Sequence, residues 1–220
     1  MKNIAAWLEL LKNPKQFFFS LENPRLKYPF LIIILMSIMT VVFTFLYTLY
    51  PTPILSKLKE RSEILHAIYP FFMVLLYFVI GLGMILLKSV WVKLGLRILS
   101  IKTKLRLVFS CMAYAQLPNL IRYMIGLAIP AIAMTNYAGD HKIPYMKTSL
   151  AQLFISYSST HPLLFYWMRN VELFEIWILV LEIIAVSAIG RISYRKSSLI
   201  VILFWVISSI PYMIMKHGIL

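Results

Sequence analysis

Tyr28 to Tyr50 reads YPFLIIILMSIMTVVFTFLYTLY, without a single charge. Lys27 precedes it, Pro51-Thr52-Pro53 ends it, and the uncharged run extends to Ser56. About 20 mostly apolar residues cross the hydrocarbon core of a bilayer as a helix, which satisfies its backbone polar groups internally. The stretch therefore predicts a transmembrane helix. The rest of the 220-residue chain agrees: 61% of residues are hydrophobic, 14% are charged, and mean hydropathy is +0.82. Soluble domains sit nearer 45–50% apolar and about 25% charged. An ordinary soluble globule and a disordered chain are both excluded.

Four further spans follow from the same criterion: about 67–87, 107–134, 171–190 and 197–215. The expected fold is an all-α polytopic membrane protein with a cytoplasmic head (1–27) and a five-helix membrane domain (28–220). None of the runs reads as a cleaved signal peptide, since the first is too long and its basic flank lies too far in. Thr148 to Met168 is uncharged but polar-rich. Leu150, Leu153, Phe154 and Tyr157 form a helical stripe there, so an external interfacial helix is expected over about 148–168.

Net charge is +14, from 22 Lys and Arg against 8 Asp and Glu. In this composition the excess points to anionic headgroups rather than nucleic acid. Cations on one side are Lys2, Lys12, Lys15, Arg25, Lys27, then Lys88, Lys93, Arg97, Lys102, Lys104, Arg106, then Arg191, Arg195 and Lys196, 14 in all. The other side has Lys57, Lys59, Arg61, Lys142, Lys147, Arg169 and Lys216, a total of 7. The positive-inside rule then puts the N-terminus in the cytoplasm and the C-terminus outside. Lys88 to Arg106 reads as a basic cytoplasmic loop. In the head, Leu8 and Leu11 continue a helical stripe from Ile4 and Trp7, and Pro14 and Pro24 can each start a helix.

Arg122, Glu175 and Glu182 fall inside expected spans. Each costs roughly 2.5–3.5 kcal/mol at the centre of a span, so each asks for a partner or a water cavity. At about 1.5 Å per residue, Arg122 and Glu175 reach similar depths, about 22–24 Å up a core of about 30 Å. An Arg122–Glu175 pair is expected, with Glu182 deeper in the same charge cluster. Pro118 removes an amide N–H beside Gln116 and Asn119 and should kink the third span. Gly81, Gly83, Ser187 and Gly190 are small enough for close helix approach.

Catalytic signals are thin. No metalloprotease, nucleophile-elbow or phosphate-loop motif occurs. His66, His141, His161 and His217 are scattered, and one cysteine, Cys111, excludes an internal disulfide framework and a Cys-based zinc site. No enzyme activity, cofactor, metal or nucleic-acid partner is expected.

Three local patterns resemble the YIP family of Ypt/Rab-interacting five-pass membrane proteins in its short bacterial form. The first is Asn13-Pro14-x-x-Phe17 with Glu22-Asn23-Pro24 before the first span. The second is Ala113-Tyr114-Ala115-x-x-Pro118 in the third. The last is Phe174-Glu175-Ile176-Trp177-x-Leu179-x-Leu181 in the fourth. The family's long N-terminal region and Asp-Leu-Tyr-Gly-Pro motif are missing, so Rab binding does not carry over. The resemblance implies a non-enzymatic protein of the bacterial plasma membrane that acts through lipids and other integral membrane subunits. Some bacterial relatives accompany ABC-type exporters and toxic-peptide defence, which implies an ABC permease and its ATPase as partners. The alternative reading from the residues is a small carrier or channel using Arg122, Glu175 and Glu182.

Overall fold

A computed structural model describes residues 8–21, 24–47, 63–128, 136–137, 144–145, 168 and 171–216. The expected interfacial helix at 148–168 lies outside these residues except for Met168. Helical residues 8–12 lead into α1 (Pro14–Ser20), α2 (Lys27–Tyr47), α3 (Glu63–Ile98), α4 (Leu105–Ala115) and α5 (Leu117–Ala128). A two-residue antiparallel pair follows, β1 (Asn136–Tyr137) with β2 (Pro144–Tyr145), in the register Asn136↔Tyr145 and Tyr137↔Pro144. The chain continues with α6 (Leu173–Gly190) and α7 (Tyr194–Lys216). Among the described residues, two stretches are long and apolar enough to cross a membrane, Tyr69–Ile98 of α3 and the whole of α6; Lys27–Val42 is a shorter apolar helix.

The chain divides into two compact units. One holds Met1–Phe30, Met84–Pro118 and Phe174–Leu220, the other Leu31–Gly83 and Asn119–Leu173.

In the first unit, local chemistry sets the element ends. Asn13 caps α1: its side-chain oxygen accepts from the Gln16 amide at 3.3 Å, and its Nδ2 donates to Gln16 Oε1 at 3.0 Å. Pro14 then occupies the first turn, where its missing N–H leaves no helical bond unmade. Helix α3 ends in a Schellman motif. The Ile101 amide donates to Leu96 O and the Ser100 amide to Arg97 O, both at 2.9 Å, with Ser100 at φ 64°. Helix α6 ends the same way, through Ile192 to Ser187 O and Arg191 to Ala188 O, with Arg191 at φ 51°.

The core of this unit is built on α4. Val108 through Ala115 are all buried, as a helix apolar on every side must be. Leu10, Phe17 and Phe18 of the head are buried too, and the Phe17 ring stands edge-on to Tyr114 at 5.2 Å between centroids. Arg106 Nε donates to Pro24 O at 3.0 Å, and Phe30 lies 5.7 Å from Phe109. The head thus packs against α4 of its own chain. On the far side, Trp91 Nε1 donates to Ile200 O at 3.0 Å and joins α3 to α7.

In the second unit, α2 and α3 meet where a Cβ on Gly81 would lie 3.8 Å from Ile33. Ser37 and Thr40 turn their hydroxyls onto the carbonyls of Ile33 and Met36, at 2.8 Å each. Back-bonding of this kind lets a hydroxyl sit in an apolar helix without an orphaned donor.

The structure changes two expectations. Helix α3 does not stop near residue 87 but runs to Ile98, so Lys88, Lys93 and Arg97 are helical. The non-helical connection is 99–104, which leaves Lys102 in it, Lys104 as the N-cap of α4 and Arg106 inside α4. A charge ends an apolar run but not a helix, because Lys and Arg are good helix formers. The third span is also not one kinked helix. It breaks at Gln116 into α4 and α5, with Pro118 in the first turn of α5, where proline is tolerated.

Candidate functional site

Glu182 projects from the middle of α6 and is 1% exposed. A carboxylate this deep needs compensation, since desolvating a charge costs several kcal/mol. Lys88 of α3 supplies it: Nζ lies 2.7 Å from Glu182 Oε1, a charge-assisted hydrogen bond. Gln116, at the C-cap of α4, donates from Nε2 to the same oxygen at 3.0 Å. The Lys88 ammonium also stands 5.7 Å from the centre of the Phe204 ring of α7. One buried anion therefore ties together α3, α4, α6 and α7. The break at Gln116 has a role here, because it sets the amide that meets Glu182.

A second ion pair lies within the other unit. Arg122 of α5 stands 3.2 Å from Glu172, the residue just before α6, with side chains 18% and 9% exposed. The Arg122 guanidinium is 5.5 Å from the centre of the Tyr123 ring. Glu175, the expected partner of Arg122, lies three positions after Glu172. Glu175 sits in the first turn of α6, where the helix dipole favours a negative charge. Glu182 is bonded by Lys88 and Gln116.

The other quoted residues fall into place as packing. Ala113, Tyr114 and Ala115 end α4 in the core, and Phe174 and Trp177 stack with ring centroids 6.4 Å apart on α6. Gly190 lies against Leu96, and Ser187 Oγ donates to Ile192 O at 2.7 Å. Nothing lies within 4 Å of a Cβ built on Gly83. Cys111 is fully buried. Among the described residues, no group of three or more His, Cys, Asp and Glu could hold a metal ion.

Lys88 and Glu172 were not picked out by their sequence as partners of the intramembrane charges. One signal for Lys88 was available. The expected topology puts residue 88 and residue 190 on the same side, and Glu182 lies only about two turns in from that end. A long lysine side chain spans such a gap.

The arrangement can fix helix register and neutralise charge within an apolar phase. The family model for the Yip1 domain matches residues 8–215, nearly the whole chain. No curated protein and no solved structure matches it.

Proposed function

The chain belongs to the Yip1 domain family and is a membrane protein, and from that premise we propose that it is a non-enzymatic accessory or assembly subunit of a larger membrane machine. The machine we have in mind is an ABC-type exporter, in transport or in defence against toxic peptides, whose energy comes from a separate ATPase. In this reading the protein is a multi-pass component of a bacterial plasma membrane. It crosses five times, with the N-terminus in the cytoplasm and the C-terminus outside.

The observation that carries the proposal is the bareness of α3. Phe71, Phe72, Leu75, Val79, Ile80, Leu87 and Leu94 are each more than half exposed. An apolar face of this length is covered by lipid or by the helices of another subunit. The rival reading is a small carrier working through Arg122, Glu175 and Glu182. Against it, Glu182 Oε1 already takes bonds from both Lys88 and Gln116, which favours a clasp over a binding path.

The test is affinity purification from native membranes in mild detergent, with a flux assay in liposomes beside it. Co-purification of a permease and an ATPase supports the accessory role. Recovery of the protein alone, with solute flux that Glu182→Gln abolishes, overturns it in favour of the carrier.

A further inference from the structure

A groove of about 490 Å³ runs between the C-terminal part of α3 and the N-terminal part of α7. Its volume falls in the range of about 300–1,000 Å³ typical of ligand pockets. Leu94 and Ile98 form one wall and Leu199 and Leu203 the other, and all four are substantially exposed, from 46% to 83%. At its floor α3 and α7 touch: Ile200 lies 3.0 Å from where a Cβ on Gly95 would sit. The absence of a side chain at Gly95 therefore holds the groove's depth. Among the described residues, its only charged lining residues are Arg195 and Lys196, both exposed and both in the first turn of α7.

We propose that this groove is a binding site for one anionic phospholipid, an acyl chain lying along Leu94, Ile98, Leu199 and Leu203 and the phosphate held by Arg195 and Lys196. The argument is charge complementarity on an amphiphilic site. The uncharged run of α7 begins directly after Lys196, so the two cations mark the level where that helix enters the apolar phase. Cations at that level attract anionic headgroups, and the positive end of a helix dipole adds to the attraction. Among the described residues, no acidic side chain lines the groove. A second copy of the chain docked symmetrically through this groove would bring two further cations and no lining anion to the interface. A phospholipid combines the required apolar chain and negative charge in one molecule. The inference needs only a membrane protein and does not depend on the accessory role.

The experiment titrates the full-length protein, in mild detergent, with phosphatidylglycerol, with phosphatidylcholine of the same acyl chains, and with glycerol phosphate. Bound species are read by native mass spectrometry. Phosphatidylglycerol should bind in preference to both. Arg195→Gln and Lys196→Gln should each weaken it about fivefold, the effect of one basic residue near a charged surface. Lys102→Gln, an exposed cation outside the groove, should leave it unchanged. Leu94→Trp, which fills the groove from an exposed position, should weaken both lipids. Equal binding of the two lipids, or equal loss from Lys102→Gln, would overturn the site in favour of diffuse charge attraction. Glycerol phosphate binding as tightly as the lipid would overturn the acyl groove. A dimer without bound lipid, dissociated by Leu94→Trp, would show that a second copy is the occupant.

Discussion

Lys88 Nζ and Glu182 Oε1, 94 positions apart in the chain, meet at 2.7 Å with Glu182 fully enclosed. The two partners differ in their alternatives. Lys88 is 20% exposed and has a long flexible stem, so without Glu182 it can turn its ammonium toward headgroups. Glu182 has no such escape. We therefore expect Lys88→Met to be the more damaging single change, near the 3–5 kcal/mol typical of an orphaned buried charge. Glu182→Gln should cost less, because the amide still bonds Gln116. The double Lys88→Met, Glu182→Met variant should be more stable than the sum of its singles. Thermal melting in detergent reads all of these, and strictly additive losses would rule out the clasp.

The head is held by the same logic in apolar form. Phe17 is 4% exposed and meets Tyr114 edge-on, and Phe18 beside it is 1% exposed. Phe17→Ala should cost about 3–5 kcal/mol, the usual range for a buried phenylalanine. Of this, about 0.5–1.5 kcal/mol belongs to the aromatic pair and should be recovered by no aliphatic residue. Phe17→Leu should therefore fall between Ala and wild type. Limited proteolysis gives the local readout: cleavage between residues 8 and 21 should rise in Phe17→Ala before the rest of the chain melts. Unchanged cleavage would mean that the head is not docked by this contact.

The helical class was legible because uncharged runs of this length have one solution in a bilayer, and the Pro14 start because proline at a first turn is a strong local signal. The partners were not legible. Lys88 reads as the end of a span, yet the helix continues for ten residues beyond it, since leaving the apolar phase removes no backbone hydrogen bond. Glu172 and Glu175 lie three positions apart, less than one turn, so hydropathy does not single out either as the carboxylate that meets Arg122. The Phe17–Tyr114 contact joins two of the quoted family patterns, but each pattern is local and neither states that they touch. Pair identity depends on how helices pack, and hydropathy along a chain carries no term for that.

Gly190 illustrates packing of this kind. A Cβ there would lie 2.7 Å from Leu96 Cδ2, and Leu96 is wholly buried, so its side chain would have to shift within the core. Gly190→Ala should destabilise by about 1–3 kcal/mol, the usual cost of overpacking. Leu96→Val in the same chain should restore part of the loss by removing the clash. Gly83→Ala is the control: nothing lies within 4 Å, and the change should stabilise α3 by up to about 1 kcal/mol through helix propensity. Melting temperatures moving in the same direction for both glycines would show that contact with Leu96 is not the deciding factor.

A prediction of orientation in the membrane rests on charge and length together. Helix α3 has 36 residues, about 54 Å at 1.5 Å per residue, against a hydrocarbon core of about 30 Å. It cannot be wholly immersed without strong tilt, and its C-terminal part carries Lys88, Lys93 and Arg97. The positive-inside bias predicts that these cations lie on the cytoplasmic side. The same rule applied to Arg191, Arg195 and Lys196 predicts the α6–α7 connection on that side too. Single cysteines at Lys102, Arg195 and Lys142 in a Cys111→Ala background test this with an impermeant maleimide on intact cells. Cys111 is buried, so its replacement by alanine serves only to remove background. The substituted positions 102 and 195 should stay unlabelled until the cells are opened, and position 142 should label at once. Labelling of 102 or 195 from outside would reverse the orientation, and with it the assignment of the head to the cytoplasm.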